Sequence, residues 1–271
     1  MFGRPKHHTG SGGTFRATDV PLALLQDLRQ FPIPITISGT NNVTFTIKGT
    51  TRPVVLWTED DIIEMKKDVL YTWNATSNPI LNSDGEETTD TDSVLGVWYM
   101  YVYMKAGVPT LIPSQTAPAA TPGPSGLGGY LAHPGTKRTK VYRYVGIMVC
   151  TTAATPAFRA MVKVGYTYHF AVQSVATTAT WTELDFSASV PKHDGVQVAG
   201  KLETGAIGTV VVSGSSVEDQ GVLEVSAVGL VTTDLIQVPF GPIPCTANGK
   251  IWAKDTVARG DVHITQVVDV M

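Results

Sequence analysis

The chain has 271 residues, of which 43% are hydrophobic and 16% are charged, and its formal net charge is −3. The hydrophobic content is enough to bury a core and excludes a disordered chain, while the scarcity of charge argues against a long amphipathic helical protein. No apolar run approaches the roughly 20 residues that a membrane-spanning helix needs, so we expect no membrane span.

Residues 1–32 are predicted to form a basic docking region, which begins with an arm rich in glycine. Arg4, Lys6 and Arg16 lie among Gly, Ser and Thr residues, a composition that cannot fold alone. Three cations release too few counterions to bind nucleic acid usefully at physiological salt, so nucleic acid is not the expected partner. We expect the arm to order on the surface of another protein.

One short helix is predicted after the arm, over residues 19–30. Thr18 or Asp19 can cap it, Pro21 suits its first turn, and Leu22 and Leu25 lie at helical spacing on one face. The arm charges and these two leucines are therefore the candidate contacts with a docking partner.

A β-rich domain is predicted over residues 33–175. Apolar and polar residues alternate over residues 33–37 and 43–47, and the string between them has turn chemistry, which predicts a hairpin. Further strand patterns follow at residues 69–73, 96–104, 140–150 and 158–172.

Two segments of this domain are predicted to lie outside its sheets. The Thr58-Glu59-Asp60-Asp61 string resembles a helix start before Ile62, Ile63 and Met65, which predicts one helical turn there. Residues 113–134 are rich in proline and glycine, so we expect an extended loop or linker that holds no ladder.

Residues 176–271 are predicted to form an antiparallel β-sandwich or jelly-roll-like domain. Nearly every segment alternates between apolar and polar residues, as over residues 184–190 and 262–270. Turn signals recur at the spacing that such folds show. The expected fold class is therefore mainly β, with a short N-terminal helix and an extended arm.

An aromatic run at Trp98, Tyr99, Tyr101 and Tyr103 is the most conspicuous candidate contact surface. On a strand, the tyrosines would line one face and Trp98 the other, so both faces are apolar and the strand is either central or covered by a partner. A tyrosine row can also stack sugars or bases. We favour packing in a core or an interface, because few cations accompany the row.

The oxygen-bearing side chains of one segment alternate as calcium ligands do, at Asn82, Asp84, Glu86 and Glu87. Gly85 comes too early for an EF-hand, and the bidentate glutamate is misplaced. A solvated hairpin tip is therefore favoured over a calcium loop.

No signature of an enzyme or a cofactor site is recognisable in the sequence. The string Gly123-Pro124-Ser125-Gly126 is not a nucleophile elbow, and the six histidines are scattered. Cys150 and Cys245 lack the spacing of a zinc site and are expected to be buried thiols. We therefore expect no catalysis, no cofactor and no bound metal.

The C-terminal half resembles structural proteins of tailed bacteriophages, such as fibres, spikes, decoration proteins and baseplate-associated receptor-binding proteins. The residues that carry the resemblance are VYRYVGI at 141–147, GYTYHF at 165–170 and WTELDFSASVP at 181–191. The resemblance covers residues 137–271. It implies a homo-oligomer, usually a trimer, anchored to the particle by its N-terminus and facing outward with its C-terminal domain.

These observations lead to three functional hypotheses. The first is a non-enzymatic virion structural protein, made in the host cytoplasm; sustained heptads are absent from the sequence, so a compact spike, decoration or baseplate component fits better than a long fibre. The second is an adhesin or receptor-binding module that holds a host surface glycan on the tyrosine row. The third is a depolymerase that pairs two of its carboxylates, the candidates being Asp185, Glu203, Glu218 and Asp234.

The low charge adds one further expectation to the first hypothesis. Subunits that cover each other need few charges, so substantial apolar surface, including part of residues 96–104, is expected to become buried only in the assembly.

Overall fold

A computed structural model describes residues 32–39, 43–51, 53–59, 62–74, 77–90, 95–123, 129–152, 157–159, 161–204, 209–214, 225–228, 236–255 and 260–269. The predicted arm and helix fall almost entirely on residues 1–31, outside these ranges. Within them the regular structure is strand, without a helix, so the mainly β prediction is confirmed. None of the described segments is a helix that could cross a membrane.

The described residues form 22 strands, which set the numbering used below. They are β1 (Ile35–Ser38), β2 (Thr44–Ile47), β3 (Val54–Trp57), β4 (Ile62–Met65), β5 (Val69–Thr72), β6 (Asn78–Leu81), β7 (Glu87–Asp90), β8 (Gly96–Lys105), β9 (Val108–Ser114), β10 (Ala119–Thr121), β11 (Tyr130–Ala132), β12 (Arg143–Thr152), β13 (Ala157–Phe158), β14 (Met161–Val164), β15 (Thr167–Ala176), β16 (Thr182–Asp185), β17 (Val196–Thr204), β18 (Thr209–Ser213), β19 (Val225–Val228), β20 (Ile236–Pro244), β21 (Lys250–Asp255) and β22 (Gly260–Asp269).

The strands pair into five sheets, which we name A to E. Sheet A has the order β1-β2-β5 and sheet B is the β3-β4 hairpin. Sheet C has the order β10-β11-β12-β8-β9-β6-β7, with β13 also paired to β12. Sheet D is β14-β15-β22-β17-β20, and sheet E is β16-β21-β18-β19. The pairs are antiparallel except where β6 meets β9, with Leu81 opposite Ser114.

Sheet C lies between two hydrophobic cores, because the alternation along β8 sends apolar side chains to both faces. Trp98, Met100 and Val102 pack with residues of sheets A and B. Tyr99, Tyr101 and Tyr103 pack in a core shared with sheets D and E. The strand is therefore central, as one of the two sequence-based alternatives predicted.

The predicted hairpin of residues 33–37 and 43–47 is confirmed by β1 and β2, in which Ile35 pairs with Ile47 and Ile37 with Phe45. The predicted helical turn over Ile62, Ile63 and Met65 is wrong. Residues from Ile62 onward form β4, which pairs with β3 so that Leu56 lies opposite Ile63. The apolar β-branched residues of β4 pack against cross-strand partners on β3, and this packing outweighs the helix-start preference of the acidic residues.

The prediction that residues 113–134 hold no ladder is also wrong. β10 and β11 pair within this segment, with Ala119 opposite Ala132 and Thr121 opposite Tyr130. Their six residues contain no proline, so each can donate to a ladder. The described prolines of this segment flank β10 and β11, except for Pro113, which lies within β9 opposite Met100.

The predicted boundary between residues 175 and 176 falls inside sheet D. β14 and β15 precede or span this point, whereas β17, β20 and β22 follow it. β15 pairs with β22, with Ser174 opposite His263 and Ala176 opposite Asp261. Sheet D is therefore assembled from both sides of the boundary.

The turn between β8 and β9 offers a direct test of the local backbone. Ala106 and Gly107 connect the strands with φ of 49° and 79°, the positive values of a type I′ hairpin, in which asparagine is preferred at the first position. Ala106→Asn is expected to raise the free energy of unfolding by about 0.5–1 kcal/mol, measured by urea denaturation. Ala120→Asn, in extended β10, is the control and should not stabilise; equal effects of the two changes would contradict this explanation.

Candidate functional site

The aromatic run of β8 is buried within a single chain. Trp98, Tyr99, Tyr101 and Tyr103 are each no more than 2% exposed. The hydroxyl groups of two tyrosines are also used internally. That of Tyr99 accepts a hydrogen bond from Lys192 N at 2.8 Å, and that of Tyr101 donates to the Thr116 carbonyl at 2.7 Å.

The burial of β8 bears on two expectations, burial in an assembly and glycan binding by the tyrosine row. Part of residues 96–104 was expected to become buried only in an assembly, but Val97 to Tyr103 are already buried in the isolated chain because sheet C is covered on both faces. The tyrosine row therefore offers no exposed platform on which a glycan could stack. The arm residues Arg4, Lys6 and Arg16, like Leu22 and Leu25, lie outside the described residues.

A buried polar cluster joins sheet C to sheet D, and we call it the interlayer cluster. The Tyr144 hydroxyl on β12 donates to Asp269 Oδ2 on β22 at 2.5 Å. On the other carboxylate oxygen, His193 Nε2 lies 3.2 Å from Asp269 Oδ1, as a charge contact outside hydrogen-bond geometry. The two side chains are 2% and 0% exposed. Burial lowers the pKa of His193, but Asp269 and Asp194 together outweigh burial, and the pKa is raised overall.

A second buried cation approaches the same carboxylate. Lys163, which shares the inward face of β14 with Met161, lies over the Tyr168 ring with its Nζ atom 5.1 Å from the ring centroid. This Nζ atom has no hydrogen-bond partner among the described residues. Burial lowers the pKa of Lys163 to about 8, although the charge of Asp269 acts in the opposite direction. Asp269 is therefore the carboxylate that acts on both buried bases of the interlayer cluster.

Two valines on the outermost strand of sheet D face solvent, and we call them the valine patch. Val162 and Val164 are 63% and 62% exposed. They lie two residues apart on β14, opposite His169 and Thr167 of β15, so both point away from the core. Adjacent exposed β-branched residues on an outermost strand are typical of a surface that contacts another protein.

A polar group on the outer face of sheet D brings together three residues with metal-binding side chains. Glu203, Asp261 and His263 offer ligand atoms that all lie within 4.8 Å of one another. The sequence named Glu203 as one carboxylate candidate but missed the other two residues. The sequence pattern that could have identified them is the alternation of this strand: Val262 and Ile264 are its apolar positions, so Asp261 and His263 lie together on the opposite, polar face.

The same group contains a serine, but its arrangement differs from that of a nucleophilic triad. Ser174 Oγ is 2.6 Å from His263 Nδ1, and His263 Nε2 is 3.4 Å from Glu203 Oε2. Ser174 lies inside β15, where the backbone of the strand pairs with β22. Backbone donors engaged in a ladder cannot form an oxyanion hole, so this serine is not placed for acyl transfer.

Among the described residues, no other carboxylate considered for a depolymerase joins Glu203. Asp185 is in sheet E, where its Oδ1 atom accepts a hydrogen bond from Ser187 N at 2.8 Å. Glu218 and Asp234 lie outside the described residues. The described residues therefore give no support to a carboxylate pair made from these candidates.

The acidic segment after β6 forms the tip of the β6–β7 hairpin. Asn82 Oδ1 accepts hydrogen bonds from the backbone of Asp84 and Glu86, at 3.0 and 2.9 Å. The side chains of Asp84 and Glu87 bind Lys137 and Lys105, at 2.7 and 2.9 Å. These oxygens have partners within the protein, which agrees with the hairpin tip favoured over a calcium loop.

Two free cysteines and two surface cavities lie elsewhere in the described part of the chain. Cys150 is buried, Cys245 is half-buried, and neither forms a disulfide. One cavity, of about 390 Å³, is lined by Leu95, Tyr99 and Lys192 among others. Another, of about 490 Å³, lies beside Leu70 and Val108. Neither cavity is lined by the polar group on sheet D.

Comparison with known proteins adds no family to this description. No protein-family model matches the chain, and no curated protein matches it significantly.

Proposed function

We propose that this chain is a non-enzymatic structural component of a tailed-bacteriophage virion, which associates with copies of itself and docks on the particle through its N-terminal region. The valine patch is the observation that supports self-association most directly, because Val162 and Val164 leave apolar area exposed that a second copy could cover. The resemblance of residues 137–271 to virion proteins points to a trimer. A compact spike, decoration protein or baseplate component fits a chain of stacked sheets.

The mainly β fold and the low charge agree with this proposal. The interlayer cluster ties sheet C to sheet D, and sheet C is covered by hydrophobic cores on both faces, which is the close packing that a structural particle component requires. The burial of the tyrosine row makes the alternative of a glycan-binding adhesin less well supported, because the residues invoked for stacking are inside the core.

Charge introduced into the valine patch tests self-association. The unmodified chain is expected to have three times its 28.9 kDa mass at micromolar concentration, by light scattering coupled to gel filtration. Val162→Lys/Val164→Lys should shift it to the monomer, because two buried cations would cost more than the apolar contact gains. Leu95→Lys is the matched control, since Leu95 is also exposed, at 56%, but directly precedes β8 of sheet C. A monomeric unmodified chain, or equal dissociation by Leu95→Lys, would be evidence against this interface.

Removal of the arm tests docking. Deletion of residues 1–16 should abolish incorporation into particles, because it removes Arg4, Lys6 and Arg16 together, while circular dichroism shows an unchanged β spectrum. Substituting the three cations with glutamine removes the charge of the arm but keeps its length, and so shows which of the two docking requires. Undiminished incorporation of the deleted protein, measured by immunoblot of purified particles, would exclude the docking role.

A further inference from the structure

Three side chains with metal-ligating groups meet on the solvent face of sheet D. Glu203 on β17 lies directly opposite Asp261 on β22, and His263 follows Asp261 by two residues on the same face. Since β17 and β22 are neighbours at the centre of sheet D, these positions are fixed by the ladder and not by a loop.

The imidazole of His263 is oriented by a second strand and leaves one ring nitrogen without a partner. Its Nδ1 atom is 2.6 Å from Ser174 Oγ on β15. Its Nε2 atom is buried, has no hydrogen bond, and lies 3.4 Å from Glu203 Oε2. A ring nitrogen without a hydrogen bond therefore lies beside two carboxylates, and a cation bound among these three groups would give each of them a partner.

The separations agree with those of a bound transition metal ion. Two ligand atoms that are each about 2.1 Å from a tetrahedral ion are about 3.4 Å apart. His263 Nε2 and Glu203 Oε2 are separated by 3.4 Å. The Asp261 carboxylate lies within 4.8 Å of both and needs only a side-chain adjustment to complete a three-ligand set.

An outer layer of hydrogen bonds holds the glutamate. Gln237 Nε2 on β20 donates to Glu203 Oε2 at 2.5 Å, and Lys201 Nζ donates to Gln237 Oε1 at 3.2 Å. Together with Ser174 on the histidine, this arrangement resembles the hydrogen-bonded second layer that orients ligands in metal sites.

We propose that Glu203, Asp261 and His263 bind one divalent transition metal ion, with Zn²⁺ as the ion that the ligand set favours. One imidazole and two carboxylates suit Zn²⁺ better than Ca²⁺, which takes oxygen ligands, and the two negative charges balance the ion. The bound ion joins β17 to β22 and stabilises sheet D. Its remaining coordination position faces solvent.

Calorimetric titration of the EDTA-treated full-length chain with ZnCl₂ tests the proposal. The experiment uses a His7→Ala/His8→Ala background, because two adjacent imidazoles in the arm bind zinc weakly on their own. One ion per chain is expected. His263→Asn should abolish this binding, whereas His169→Asn should retain it, since His169 is an exposed histidine of the same sheet outside the ligand set.

Graded variants distinguish a coordinated ion from loose association. Asp261→Asn should weaken binding by more than the roughly 10–100-fold expected for Ser174→Ala, which removes only an outer-layer hydrogen bond. Co²⁺ in place of Zn²⁺ should give a visible spectrum of tetrahedral type that Asp261→Asn loses. Circular dichroism in EDTA checks that each variant folds. Absence of saturable zinc binding, or equal binding by the His263→Asn and His169→Asn proteins, would overturn the proposal.

Discussion

Replacing Asp269 with leucine is expected to lower the free energy of unfolding by about 3–5 kcal/mol. Asp269 is fully buried, and it binds the Tyr144 hydroxyl and faces the imidazole of His193. Removing this carboxylate leaves the buried His193 and Lys163 without their anion, and the desolvation of an uncompensated charge dominates the cost. Equilibrium denaturation in urea at pH 6.5 measures the effect.

Two further variants separate the charge contact from the loss of a side chain. His193→Leu/Asp269→Leu should be less destabilised than the sum of the two single variants, because an apolar pair leaves no unbalanced charge. Glu64→Gln, which breaks an exposed 2.9 Å ion pair with Lys66, is the control and should cost under about 1 kcal/mol. The role of Asp269 as the partner of a buried cation would be contradicted if the effects of His193→Leu and Asp269→Leu were additive. It would also be contradicted if Asp269→Leu and Glu64→Gln lowered the free energy of unfolding equally.

Acidification is expected to destabilise the protein through His133. This histidine is fully buried. Its Nδ1 atom accepts a hydrogen bond from Gly135 N at 3.0 Å, and its Nε2 atom is 3.1 Å from Ser114 Oγ, which in turn donates to the Leu81 carbonyl. Burial, helped by the charge of Arg138, lowers the pKa of His133 from 6.5 to about 4. The folded protein therefore keeps this ring neutral in a pH range where the unfolded chain protonates it.

The sign of the pH effect follows from this difference. Stability from His133 is fully present above pH 6.5 and is lost as the pH falls to about 4, by about 3 kcal/mol in total. His193 does not offset this loss. Because its pKa is raised in the folded state, its contribution to stability is fully present below pH 6.5 and is lost only as the pH rises.

The variant His133→Gln provides the comparison. Its amide can donate to Ser114 but cannot titrate, so the difference in unfolding free energy between the unmodified chain and the variant should narrow between pH 6.5 and pH 4.5. Urea denaturation at the two pH values measures this difference. A constant difference would show that His133 is not the group that titrates.

Alternation along single strands is the part of the fold that the sequence predicted best. The two faces of β8 were separated correctly into Trp98 on one side and the tyrosines on the other, because a period of two depends only on local geometry. The first hairpin was found for the same reason, with a turn string between two alternating runs.

Long-range pairing explains what the sequence did not predict. β10 and β11 are three residues each and lie among prolines, so only their partner strands make them recognisable. The burial of Tyr99, Tyr101 and Tyr103 in one chain depends on sheets D and E, which close over sheet C from the distant C-terminal half.

The proposed zinc ligands also could not be predicted together from the sequence. Glu203 and His263 are 60 residues apart in the sequence, and they become neighbours only through the register of β17 on β22. No local spacing rule joins them, although Asp261 and His263 share one face of a single strand. A candidate site of this kind becomes recognisable only when the order of strands in the sheet is known.

The central proposal, a structural component of a phage particle, is tested most directly by immunogold electron microscopy with an antiserum raised against the purified chain. Particles released from lysed cultures of the source should bind gold at one fixed and repeated position on the head, tail or baseplate. Particles without label, in a preparation whose particle-free supernatant contains the protein, would contradict the proposal.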